Sequence, residues 1–374
     1  MSRKDRHQTA PTEELGADGR PVGVEVEASL PSNEPFDPAS ISIEPKVIAM
    51  DTLLRRLRQG SIRLAPSFQR KFVWDIERRS QLIESLMLRI PLPMFYVAAN
   101  EDGSWDVVDG LQRLTTIRDF LLGEETNDKG ERTCPSASYF ALADLEFWGE
   151  RFNKKTFKQI CEDSKQARIV NNIMETEMRF TVINPGTPEE VKRNIFKRIN
   201  TGGMPLTSQE IRHALYQGHA SNLLQELVSQ PAFTQAVDDS IDDSRMAARE
   251  LALRFLAFYL LGAENYSGDM DRFLSNTMRV INQVPNISTA QLERIFYPHQ
   301  HPTIPAVSLD EIKATFERSM NRCRQFFGSY AFRKAVPKDR RTPVNKALFD
   351  SWSTIMAGMS DKNFQSLLKC KAEF

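Results

Sequence analysis

Val107-Val108-Asp109-Gly110-Leu111-Gln112-Arg113-Leu114-Thr115-Thr116 reads as an apolar strand that breaks at a glycine into an amphipathic helix. The first N–H groups of a helix have no intrahelical partner and lie at the positive end of its dipole. An anion placed there gains hydrogen bonds and charge complementarity together. Gly110 lets the backbone approach closely, Arg113 can fork onto phosphate oxygens, and Asp109 is placed to orient a metal ion or a water. The same ten residues also fit a plainer reading, in which Asp109 caps the helix and Arg113 is a solvated charge.

Working outward, residues 94–98 and 105–108 read as two strands joined by Asn100-Glu101-Asp102-Gly103, whose Asp-Gly is a hairpin signal. Before them, residues 75–88 carry Ile76, Ile83 and Leu86 at helical spacing, and Pro91 and Pro93 stop the helix. Asp51 reads as the cap of a short helix through Arg58 that ends at Gly60, and a brief strand at 61–64 follows. Downstream, the helix after Gly110 ends near Gly123, a polar loop runs to Pro135, and a helical stretch reaches about Glu177 before a strand at 178–183. Thr187-Pro188-Glu189-Glu190 and Thr207-Ser208-Gln209-Glu210 are both capping boxes, with 200–205 a tight connection between their helices. Val191, Ile195 and Ile199 mark a buried face, and no convincing strand follows Ile183. The pattern predicts an α+β protein, with a small mixed α/β domain over 46–186 and an all-helical domain over 187–374.

Residues 1–45 hold nine acids, four bases, six prolines and one aromatic. Such a segment buries too little apolar surface to offset its ordering entropy, so a disordered acidic tail is expected. Lys plus Arg equals Asp plus Glu at 49 each, which gives no global case for a polyanion binder. Residues 51–90 depart from that balance with nine bases against four acids, a face suited to a polyanion or simply to solvent. The four cysteines are widely spaced and form no CxxC pair, which argues against zinc, a redox dithiol or a secreted disulfide framework. The opening residues carry no apolar signal region and no stretch approaches the ~20 apolar residues of a membrane span, so a cytoplasmic protein with no membrane partner is expected.

Three polar elements could converge: Asp109 to Thr116, Gln69-Arg70-Lys71, and Phe196-Lys197-Arg198-Ile199-Asn200. Each has a bland alternative as surface charge or helix end. Asp238, Asp239, Asp242 and Asp243 lack the glycine and terminal glutamate of a calcium loop and read as an exposed acidic turn. His299 and His301 could form a metal pair but have no evident third ligand, and Lys338, Arg340 and Arg341 form a basic loop that could touch nucleic acid. Glu250 and Arg254 sit one turn apart and are expected to pair. No G-x-S-x-G elbow, Cys–His neighbour, Walker loop or His-rich nuclease motif is present.

Taken in order, Phe68-Gln69-Arg70-Lys71-Phe72-Val73-Trp74, Leu82-Ile83-Glu84-Ser85, Ile90-Pro91-Leu92-Pro93 and Val108 to Thr116 resemble the N-terminal domain of GmrSD-type modification-dependent restriction enzymes. The resemblance continues through Phe196-x-Arg198-x-Asn200-x-x-Gly203-x-x-Leu206-Thr207-x-x-Glu210-Ile211-Arg212 and Glu250-Leu251-x-Leu253-Arg254-Phe255-Leu256. It implies a fold distantly related to ParB and sulfiredoxin, in which the nucleotide is bound and hydrolysed by an Asp-Gly-x-Gln-Arg element. Asp109, Gln112 and Arg113 would then be catalytic, with Asp109 also holding Mg²⁺. Gln69, Arg70, Gly110, Thr115, Thr116, Arg198 and Asn200 would surround a nucleoside triphosphate. The family pattern has Asp-Gly-Gln-Gln-Arg, so Leu111 replaces one glutamine. Relatives often carry a C-terminal His-Asn-His nuclease domain, but the five histidines here lie in no such arrangement, and no cysteine stands where sulfiredoxin chemistry needs one. The implied role is bacterial defence against phage or modified foreign DNA, as a homo-oligomer or with a separate nuclease subunit. A non-enzymatic DNA-binding or sensor subunit, and a nuclease with an unrecognised metal site, remain as alternative classes.

Overall fold

The computed structural model describes residues 12–16, 18–27, 41–64, 74–199, 206–334 and 342–371. Two short antiparallel strands come first, β1 (Glu13–Leu15) and β2 (Pro21–Glu25). Then follow β3 (Ile43–Ala49), α1 (Met50–Arg58), β4 (Ile62–Arg63), α2 (Ile76–Met87), β5 (Phe95–Ala99), β6 (Trp105–Asp109) and α3 (Leu111–Leu122). After these come α4 (Gly149–Phe152), α5 (Phe157–Glu162), α6 (Ala167–Met174), β7 (Glu177–Ile183) and α7 (Glu189–Ile199). The remainder is helical: α8 (Ser208–Leu215), α9 (His219–Ser229), α10 (Pro231–Ala236), α11 (Ala247–Leu261), α12 (Met270–Ile281), α13 (Thr289–Phe296), α14 (Leu309–Phe327), α15 (Lys346–Gly358) and α16 (Asp361–Lys369). The chain is α+β and divides into two compact units, Pro35–Pro205 and Met1–Glu34 together with Leu206–Phe374.

The first unit is built on a mixed five-stranded sheet of order β3-β7-β5-β6-β4. Along β7 the sequence Glu177-Met178-Arg179-Phe180 alternates exposed and buried, so only one face of this strand is apolar there. That face carries Phe180, whose ring stacks 5.2 Å from Phe95 and lies 5.4 Å from Trp105. Leu53 of α1, Ile83 of α2, Leu114 and Ile117 of α3 and Ile173 of α6 belong to the same buried cluster. Each such side chain contributes about 1.5–3 kcal/mol by leaving water. The β5–β6 pair is the expected hairpin, closed where Gly103 adopts φ 77° and Asp102 accepts from the N–H of Ser104 at 2.9 Å. Its register runs Tyr96↔Asp109 and then Val97↔Val107, leaving Val108 as an extra residue in β6 just ahead of Asp109.

Several local expectations are corrected. Asp51 lies inside the first turn of α1, whose cap is Ala49 without a side-chain bond. Thr187 does not cap α7: its hydroxyl accepts from the N–H of Ser42 and donates to the Ser42 carbonyl, each at 3.2 Å, so it ties the end of β7 to β3. Thr207 and Glu210 do form a capping box at α8. The stretch expected to be helical up to Glu177 is instead broken into α4, α5 and α6, and α7 belongs with the sheet-bearing unit and not with the helical one.

In the helical unit α11 is buried on nearly all sides, with Leu251, Phe255 and Leu256 fully enclosed. Residues read as part of a disordered tail take part in this core. Val22 and Val24 of β2 are buried in it, and the N–H of Glu25 donates to the Val344 carbonyl at 2.8 Å. Among the described residues no helix is long and apolar enough to cross a membrane.

Candidate functional site

At the end of β6 the chain turns through Gly110, which takes φ 93° and ψ 13° as the N-cap of α3. An L side chain rarely adopts that conformation, and a Cβ here would also be driven into the ring of Phe95, whose Cε1 lies 2.9 Å from that position. Glycine is therefore required twice over. Because it carries no acceptor, the N-terminus of α3 has no side-chain cap.

Asp109 does not supply that cap. Its Oδ2 accepts from Nη2 of Arg113 at 3.0 Å. The Arg113 guanidinium also donates from Nη2 to the Met94 carbonyl at 3.3 Å and from Nη1 to the Pro93 carbonyl, and it lies 4.4 Å from the Phe95 ring centroid. Only 12% of the side chain is exposed, so it is no solvated charge. Burial pulls its pKa below the usual arginine value, and the Asp109 carboxylate opposes that shift. The result is a preorganised unit in which a strand end, a helix start and the 93–95 segment are joined by one arginine.

Gln112 faces the segment before α2, its Oε1 accepting from the N–H of Trp74 at 3.4 Å. Thr115 is half-buried one turn further along α3. Thr116 is buried and its hydroxyl donates to the Gln112 carbonyl at 2.8 Å, a bond internal to the helix. Arg198 is exposed in the last turn of α7, with no hydrogen bond or ion pair to Asp109, Gln112 or Arg113. Gln69, Arg70, Lys71 and Asn200, as well as Lys338, Arg340 and Arg341, lie outside the described residues. Leu111, at the departure from the Asp-Gly-Gln-Gln-Arg pattern, is buried in the core and does not line the open helix end.

The contacts that sequence reasoning missed are the Pro93 and Met94 carbonyls and the Phe95 ring. Ile90-Pro91-Leu92-Pro93 reads in the sequence as a helix stop and as part of the resemblance, with no hint of contacts to Arg113. A proline-bounded segment offers carbonyls without competing N–H donors, and that was the available signal.

Other charged clusters have structural work. Glu250 and Arg254 do not pair with each other as expected. Arg254 forks onto Asp350, with Nη2 2.6 Å from Oδ2, and onto Glu27, with Nη1 2.8 Å from Oε2. Glu250 accepts from Arg212 at 3.1 Å and from Lys346 at 2.7 Å. Burial alone would raise the Glu250 pKa, but Lys346 and Arg212 outweigh it and hold it at about 2. Asp242 accepts from the N–H of Ser244 in the turn before α11, and Asp243 accepts from the N–H of Ala248 in the first turn of α11 and meets Arg249 at 3.2 Å. His299 Nε2 accepts from Nη1 of Arg272 at 2.8 Å, and with Tyr297 and His301 His299 lines a shallow surface pocket. Among the described residues no group of three or more His, Cys, Asp or Glu side chains could hold a metal ion.

Residues 51–217 match the family model described as GmrSD restriction endonuclease, N-terminal domain. The match runs from α1 through α8 and takes in the whole Asp109–Thr116 stretch. No curated protein matches the chain.

Proposed function

From the GmrSD-type N-terminal domain carried by residues 51–217, we propose that this protein belongs to a restriction-type defence system acting on DNA, and that it binds and hydrolyses a nucleoside triphosphate at the start of α3. One observation carries the nucleotide reading: an uncapped helix N-terminus follows a left-handed glycine, beside an arginine already fixed in place. Backbone N–H groups there would donate to phosphate oxygens, and the Arg113 guanidinium would hold developing charge without reorganising. Asp109, with 37% of its side chain exposed, keeps carboxylate surface beyond the Arg113 contact and is the residue that would hold Mg²⁺. Bound Mg²⁺ would supply neutralisation of phosphate charge. Gln112 is the candidate for orienting the attacking water, with Thr115 beside it, and Gln69, Arg70, Arg198 and Asn200 are assigned to the remaining nucleotide contacts.

A second reading is favoured by two observations. The donors of Arg113 are shared among one carboxylate and two carbonyls, and Leu111 is apolar and buried where the family pattern has glutamine. Both support a domain that binds nucleotide as a switch, with little turnover, and a DNA-binding or sensor subunit whose nuclease is a separate chain.

A panel of nucleoside triphosphates with Mg²⁺, scored for thermal stabilisation and phosphate release with and without DNA, separates these readings. Ligand at ~100 times its Kd stabilises by about 2.7 kcal/mol. Arg113→Ala is expected to abolish that gain, and Gln112→Ala, which leaves the Arg113 contacts intact, to reduce phosphate release more than binding. Absence of stabilisation by every nucleotide sinks the site.

A further inference from the structure

Phe147 has 67% of its surface exposed. A lone exposed apolar side chain is ordinary, but the backbone that carries this one is tied down. Glu84 of α2 is buried, and its carboxylate accepts three consecutive N–H groups: Glu146 at 3.0 Å on Oε2, and Phe147 and Trp148 at 2.9 Å each on Oε1. A carboxylate is costly to bury without such donors. The floor behind the ring is equally fixed. The N–H of Leu145 donates to Asn153 Oδ1 at 3.2 Å, and Trp148 stacks on Phe152 with centroids 5.3 Å apart.

Four cations follow this mount along the chain. Arg151 lies 5.4 Å from the Trp148 ring and 5.2 Å from that of Phe152, and Lys154 and Lys158 are exposed. Among the described residues none of Arg151, Lys154, Lys155 and Lys158 has a carboxylate within 4.0 Å. Residues 144–158 hold four bases, Arg151, Lys154, Lys155 and Lys158, against three exposed acids, Asp144, Glu146 and Glu150, and the bases follow Phe147 in the chain while two of the acids precede it.

We propose that residues 144–158 form a DNA contact, in which Phe147 stacks on an exposed base and Arg151, Lys154, Lys155 and Lys158 meet the flanking phosphates. An aromatic side chain on a fixed backbone has only its own two torsions to order on stacking, and cations near it can track the nucleic-acid backbone. An apolar protein partner would bury those cations without acceptors, whereas phosphates supply them. Glu84 is the positioning residue, which gives the Leu82-Ile83-Glu84-Ser85 motif a purpose that core packing alone does not. The proposal rests on the reading that this domain acts on DNA, and is independent of the nucleotide site.

The test is fluorescence anisotropy of the full chain with a labelled oligonucleotide, single-stranded and as a duplex, over a salt series. Phe147→Ala is expected to weaken single-strand binding about tenfold with an unchanged Tm. Arg151→Ala with Lys158→Ala should lower the salt slope by about 2. Glu84→Gln, which sets an NH₂ against a backbone N–H, should reproduce the Phe147→Ala loss. Unchanged affinity in Phe147→Ala, or no binding of DNA by the wild type, overturns the proposal. Nucleotide stabilisation measured on the same samples shows whether the α3 site stands or falls separately.

Discussion

Gly110 and Arg113 illustrate how one residue can be readable and its neighbours not. The need for glycine between an apolar strand and a helix follows from the local order of residues, and the φ of 93° bears it out. Gly110→Ala should destabilise the protein by about 2–4 kcal/mol, from the left-handed backbone and the clash with Phe95 together, as read by urea denaturation. A cost below about 1 kcal/mol would mean the turn relaxes freely. What Arg113 does was not legible. Its carbonyl partners stand some twenty positions upstream and reach it only because β5 pairs with β6. The same holds for Glu84, whose three N–H donors lie more than sixty positions downstream.

Elements were readable where a periodic apolar face and a local signal agreed. α2 carries its Ile83–Leu86 spacing and ends ahead of Pro91, the β5–β6 hairpin has its Asp-Gly, and α8 its Thr207–Glu210 box. They failed where a side chain found a distant partner, as Thr187 did in Ser42. α11 shows the same competition. Its one-turn neighbours Glu250 and Arg254 each choose partners from other segments, because buried charges need more acceptors and donors than one helix face supplies. Glu250→Gln should cost about 3–5 kcal/mol, since Arg212 and Lys346 would lose a shared countercharge. Acid should act in two windows. His213 is buried beside Arg249 and its pKa falls from 6.5 to about 4, so the neutral form's stability is full above pH 6.5 and is lost as pH falls toward 4. Glu250 adds stability that is full above about pH 4.5 and is lost as pH falls toward 2. Thermal unfolding scanned across pH checks both. His213→Gln should remove the upper window and Glu250→Gln the lower.

At the scale of the molecule, composition misjudged the N-terminal segment. Glu14 meets Lys346 at 2.7 Å, Glu25 meets Lys334 at 2.8 Å, and Glu27 meets Arg254, while Val22 and Val24 enter the core. Removing residues 1–27 should therefore lower the Tm by about 10 °C, through lost burial and an Arg254 left with half its carboxylates. A Tm within about 2 °C of the full chain would show the segment to be dispensable. The sequence by itself determined the helices and strands with strong periodicity, the α+β class, the strand–glycine–helix junction and the ordered motifs that resemble the GmrSD N-terminal domain. Those depend on residues close together in the chain, where spacing alone selects conformation. Only the tertiary structure decided which unit the first residues join, which carboxylate each arginine takes, and that Phe147 stands out on a buried glutamate. Buried charges must be matched by whatever the fold brings near them, and that proximity is set by packing over the whole chain and written in no single segment.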